Sequence, residues 1–131
     1  MKRSSSLLLV LSLFAGICAA QGVDPDWKAP EKDSARTNPL ASRPQLAAGG
    51  EKLFARSCAS CHGDEAKRAA AKAPDLASPA VQAETDGALF WKITNGNTRR
   101  SMPAWGVLPE PQRWQLVLYL RKLEKERDST H

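Results

Sequence analysis

Metal-ligating side chains are scarce in this chain, which has two histidines, three cysteines and two methionines in 131 residues. A structural zinc site takes about four protein ligands. Beyond the first twenty residues, only Cys58, Cys61, His62 and the terminal His131 are on offer, apart from carboxylates. No alternation of apolar and polar residues runs long enough for a sheet. Basic charge is also thin: the formal net charge is +5, Lys2 and Arg3 contribute to it, and no dense stripe forms. That argues against a nucleic-acid partner. No apolar run approaches the roughly 20 residues that cross a hydrocarbon core.

The longest apolar stretch, residues 7–17, follows the positive start Met1-Lys2-Arg3 and precedes small residues at Cys18 and Ala20. This order matches a cleavable export signal over residues 1–20, cut before Gln21. An uncleaved anchor is the alternative, and Ile17 before Cys18 argues against lipid attachment. Export to the periplasm is the expected localisation. Only Cys58 and Cys61 then remain, in a compartment where an idle pair closes into a disulfide.

Residues 21–44 hold Pro25, Pro30, Pro39 and Pro44 and show no apolar period. They are expected to be a flexible Pro-rich leader, lying across the domain or holding it away from a surface, with Trp27 its only large apolar contact. The compact domain is expected over 45–126, with a polar tail at 127–131. About 80 residues make a marginal core without a bound hydrophobe.

Within that domain Leu46, Gly50, Leu53, Phe54 and Ser57 recur at helical spacing. Gly49 and Gly50 weaken a helix, so close packing is the reason to keep at least one of them. Thr85 or Asp86 can cap a second helix through Leu89, Phe90, Trp91 and Ile93, stopped by Asn95-Gly96. A third starts at Glu110-Pro111 and carries Trp114, Val117, Leu118 and Arg121 on one face. The pattern is all-α with long functional loops.

Chemistry concentrates in Cys58-Ala59-Ser60-Cys61-His62, the signature of c-type haem attachment. Two thiols three residues apart reach both haem vinyls from one turn of backbone. The adjacent His62 then presents an imidazole to iron. A redox dithiol would follow a buried strand rather than a helical pattern, and a plain disulfide would leave His62 unexplained. Met102, alone after the signal, stands in the loop Met102-Pro103-Ala104-Trp105-Gly106 as a candidate second axial ligand. Its other role would be core filler. Phe90, Trp91, Ile93 and Trp105 are candidates for the haem wall, and Arg99 and Arg100 for propionate contacts or a solvated basic loop.

From residue 45 to about 123 the chain resembles class I c-type cytochromes, in particular bacterial periplasmic monohaem proteins with a Met-Pro-Ala-Trp ligand loop. The resemblance implies a small class I cytochrome c fold, with three to five helices around one haem. It implies that the first and last helices cross, with Gly50 and Phe54 matched against Leu116 and Tyr119. It also implies that the Pro74 carbonyl receives the imidazole Nδ1–H of His62 and that Leu76 packs near the ring.

The expected cofactor is one haem c per chain, attached through Cys58 and Cys61, with His62 and Met102 on the iron. The expected function is a monomeric periplasmic electron carrier, not an enzyme, with transient redox partners such as a membrane respiratory complex or a periplasmic dehydrogenase. Two rivals differ in sixth ligand or partnership. One is a ligand-binding or peroxidase-like haem protein; the other is a haem subunit held in a respiratory dehydrogenase or oxidase complex.

Overall fold

The computed structural model describes residues 24–64, 66, 70 and 73–129. The proposed export signal at 1–20, Cys18 included, lies outside the described residues, as do 21–23 of the leader and the last two residues of the tail.

The described residues form six α-helical segments and two 3-10 turns, and no strand. Three helices are long: α2 (Ala47–Ser57), α5 (Asp86–Asn95) and α6 (Glu110–Asp128). Three are single turns: α1 (Glu31–Ser34), α3 (Ala59–His62) and α4 (Pro79–Gln82). The all-α expectation therefore holds, but the count exceeds three to five. The extra segments are four-residue turns whose stability comes from packing, because a lone turn fixes several dihedrals for one hydrogen bond.

The frame is the crossing of α2 and α6, the most extensive helix pair. A Cβ at Gly50 would stand 2.0 Å from the Gln115 carbonyl oxygen, so the two backbones touch where no side chain fits. Leu53, Phe54, Leu116, Val117, Tyr119 and Leu120 are buried around that point. The Phe54 and Tyr119 rings lie 5.1 Å apart, close enough for a tilted aromatic contact. Because α1 precedes α2, the crossing joins the second and last helices, not the first and last.

Helix α5 is locked at both ends by its own sequence. Thr85 Oγ1 accepts the Ala88 N–H at 3.1 Å, and Gly96 ends the helix at φ +64°. Arg121 of α6 ties this start to α4. Its Nε donates to Asp86 at 2.8 Å, and Nη1 donates to the Gln82 carbonyl at 2.9 Å.

Residues 24–43 lie against this body. Leu40 and Asn38 are buried, and Asn38 Nδ2 donates to the Trp114 carbonyl at 3.1 Å. The Arg36 guanidinium sits 4.6 Å from the Phe90 ring centre and pairs with Glu110. At Gly87, an added Cβ would meet the Asp33 carbonyl at 2.1 Å, so α1 rests directly on the α5 backbone. These contacts run through polar and backbone groups, which apolar periodicity does not register.

Candidate functional site

Helix α2 ends at Ser57, where the Cys58 N–H still donates to the Phe54 carbonyl at 2.8 Å while its own φ of −120° breaks the helix. The chain turns once more through α3, closed by His62 N–H to Cys58 O at 3.0 Å, and stops at Gly63 with φ +81°. One turn thus carries Cys58, Cys61 and His62. Both thiols are free; Cys58 is half-buried and Cys61 exposed. Burial, reinforced by the neighbouring Cys61, pushes the Cys58 thiol up to about 11.

The His62 imidazole packs beside Phe54, with ring centres 6.4 Å apart. Burial lowers its pKa, and the Pro74 backbone opposes the shift; proline has no N–H, so the carbonyl is responsible. Even so, Nδ1 is buried without a hydrogen bond of normal geometry. An orphaned buried ring nitrogen is costly in isolation.

These groups open on a cavity of about 450 Å³. All six residues singled out in the sequence, Cys58, Cys61, His62, Pro74, Leu76 and Met102, line it. Of the aromatic wall candidates, Trp105 lines it and Phe90 and Trp91 do not. Phe90 instead stacks on Trp114 with 4.0 Å between ring centres. Arg100 reaches the cavity, while Arg99 faces Asp24 at 3.6 Å.

Met102 is held at the cavity by its backbone. Its N–H donates to the Asn97 carbonyl and its carbonyl accepts the Asn97 N–H, both at 2.9 Å, around a 3-10 turn at Thr98–Arg100. Farther on, Trp105 N–H and Gly106 N–H donate to the last α5 carbonyls, Ile93 and Thr94, at 3.0 Å each. The loop is therefore pinned on both sides of the methionine.

Several cavity residues escaped the sequence reading. Asp24, Lys92 and Asn97 line it, and Trp27, noted only as an apolar contact, does too. Lys92 is 8 % exposed, pairs with Glu84 and has its ammonium 4.8 Å from the Trp27 ring centre. A buried lysine in an amphipathic helix leaves no signal in its spacing. Trp27 alone could have been suspected, because a tryptophan in a polar leader needs a place to pack.

The donor set and the space fit a covalently held haem. Two thiols sit on one turn beside an imidazole, a methionine lines the same largely apolar cavity, and the imidazole Nδ1 lacks a full partner. Among the described residues no three His, Cys, Asp or Glu side chains converge on a metal site.

Comparison with known proteins narrows the relationship. The family model described as cytochrome C oxidase, cbb3-type, subunit III matches residues 45–120, more than half of the chain. The cbb3-type cytochrome c oxidase subunit FixPc of Rhizobium leguminosarum bv. viciae is 35 % identical over 85 residues, which are 63 % of this chain and 29 % of that protein. The chain thus spans under a third of the length of the relative it matches. The matched region ends within α6 and begins just after the segment that packs over α5.

These matches correct the resemblance drawn from sequence. The attachment string, the glycine crossing and the methionine loop serve haem retention in a free carrier and in an oxidase haem domain alike. They therefore could not separate a bacterial periplasmic monohaem class I protein from an oxidase subunit. The chain belongs to the cbb3-type cytochrome c oxidase subunit III family, as a haem-binding module related to that subunit.

Proposed function

We propose that this chain is an electron-transfer module that carries one haem c within, or docked to, a cbb3-type oxidase complex on the outer face of the membrane. The observation that carries the reading is the convergence of Cys58, Cys61, His62 and Met102 on one cavity in a chain of this family. When bound, the haem supplies a one-electron centre that cycles between the ferrous and ferric states.

The residues divide the work. Cys58 and Cys61 would hold the ring by thioether bonds, and His62, on the same turn of α3, would offer its imidazole to the iron. The Pro74 carbonyl, which already acts on His62, would accept a hydrogen bond from Nδ1–H, which would fix the tautomer and make the other ring nitrogen a stronger ligand. Met102 would hold the iron through its thioether, a ligand type that raises the potential. Leu76, Ile93 and Trp105 exclude water. The chain then needs no general acid, base or nucleophile.

Membership in a complex is favoured over a free carrier by the family match and by the FixPc relative, whose name assigns it to such an oxidase. No helix among the described residues is long and apolar enough to cross a membrane. Export by the 1–20 signal would deliver the module to the periplasm.

The test is solubilisation of native-host membranes in mild detergent, followed by intact mass and a pyridine haemochrome spectrum of the chain. The reading expects comigration with oxidase activity, a mass increased by one haem and a cleaved signal. A colourless chain, or a single monodisperse haem protein wholly in the soluble fraction, overturns it.

A further inference from the structure

The segment before the matched region reaches the methionine side of the cavity, and its contacts there are specific. Asp24 has a side chain only 12 % exposed, although it stands at the start of the described chain. Its two carboxylate oxygens have separate partners. Oδ1 accepts the Asp26 N–H at 3.1 Å, and Oδ2 accepts Asn97 Nδ2, also at 3.1 Å. Trp27 N–H closes the same turn on the Asp24 carbonyl at 3.2 Å.

Asn97 is itself 6 % exposed and is the residue that brackets Met102 through both backbone bonds. The loop it closes is not relaxed. Ser101, next to the methionine, has φ +61°, a left-handed conformation that a residue with a Cβ adopts at a cost. Such a residue persists where its surroundings over-determine it, and Asn97 is the part of those surroundings reached by a second chain segment. Farther along that segment, the contact of Trp27 with Lys92 fastens it to α5.

We propose that residues 24–27 form a strap whose Asp24 carboxylate is a positioning group for the methionine loop. It holds the Asn97 side chain so that Asn97 holds Met102 against the cavity. The strap lies outside the region 45–120 that the family model matches. Asp24 acts through Asn97 and does not touch the iron. Its consequence for ligation rests on the reading of Met102 as the axial ligand, whereas its effect on loop order does not.

The experiment uses the full-length holoprotein and compares Asp24→Ala, Asp24→Asn and Arg99→Ala with the wild type. Two quantities are read: hydrogen exchange at the Asn97 and Met102 amides, and the near-infrared sulfur-to-iron band together with the rate of imidazole binding. Asp24→Ala removes the acceptor, so exchange at both amides rises on the order of tenfold, about the worth of one buried hydrogen bond. The band weakens and imidazole binds faster. Asp24→Asn has a single acceptor oxygen; with it on Asn97 and the exposed Asp26 N–H left to water, slow exchange is restored, while Arg99→Ala leaves it unchanged.

Wild-type exchange in Asp24→Ala overturns the strap. So does Arg99→Ala matching Asp24→Ala, because charge rather than the Asn97 bond would then hold the loop. If the wild type itself lacks the sulfur-to-iron band, the Met102 ligand reading fails, and the exchange data still decide the strap.

Discussion

On one wall of the cavity, Cys58, Cys61 and His62 share a single turn hung from the end of α2. On the other, Met102 depends on a loop whose bonds run to α5 and to Asp24, 73 residues before Asn97. The first wall is local in sequence and inherits its rigidity from the α2–α6 crossing. The second is assembled from three separated stretches of chain. On the proposed function, a haem would be secured covalently on the local side and by a loop held through tertiary contacts on the other.

The sharpest break in that comparison is removal of the covalent wall. Replacing both Cys58 and Cys61 by Ala should abolish covalent haem entirely, read as an intact mass lacking the haem increment. Met102→Ala should leave the mass increment in place and remove the sulfur-to-iron band. Equal loss of haem from both variants would show that the walls are not divided in this way.

A second test probes the frame behind the local wall. Gly50→Ala forces a methyl against the Gln115 backbone and should cost about 3 kcal/mol in denaturant unfolding of the holoprotein. Gly49→Ala meets only the far end of the Gln115 side chain, at 2.7 Å, and should be near neutral. The side chain can move, and alanine is better than glycine in a helix by about 1 kcal/mol.

Thiol chemistry asks whether the local wall exists before attachment. With its pKa near 11 rather than 9.0, Cys58 should carry roughly 100-fold less thiolate than an ordinary cysteine at pH 8. In haem-free chain, alkylation of Cys58 should lag that of exposed Cys61, followed by peptide mass spectrometry. Equal rates would mean that haem, not the chain, brings α2 and α3 together.

The smallest effect expected is on pH dependence. Burial, the largest influence on His62, lowers its folded pKa from the ordinary 6.5, so the unfolded chain binds the proton more readily. His62 therefore favours the folded haem-free chain fully above the folded pKa only once pH also exceeds about 6.5. That contribution is lost as pH falls below this value toward the folded pKa. Denaturant midpoints at pH 5 and pH 8 should differ in that direction, and His62→Gln should reduce the difference. An unchanged slope in the variant would assign the pH effect to other groups.

The attachment turn was legible because its five residues are contiguous and their spacing is the chemistry. Gly50 was legible because a glycine in an apolar helical stripe has few other reasons to be there. Met102, Pro74 and Leu76 were reachable by order along the chain, and the structure brings them to the same cavity. Asp24, Lys92 and Asn97 were not, because nothing about a polar residue's sequence position says that it will be packed against a distant partner. The kind of haem protein was not legible either, since a carrier and an oxidase module place the same demands on the residues around iron.

By itself the sequence determined the elements whose causes are short in range: the helical stripes, a cap at Thr85 or Asp86 and a stop at Asn95-Gly96, the start of α6 and the turn that bears both thiols and the imidazole. Only the tertiary structure decided how residues 24–43 pack, which aromatics face the cavity and what secures the methionine loop. Helix periodicity and ligand spacing are set within a few residues. A buried lysine or asparagine, or a half-buried carboxylate, is set by the partner that folding brings to it.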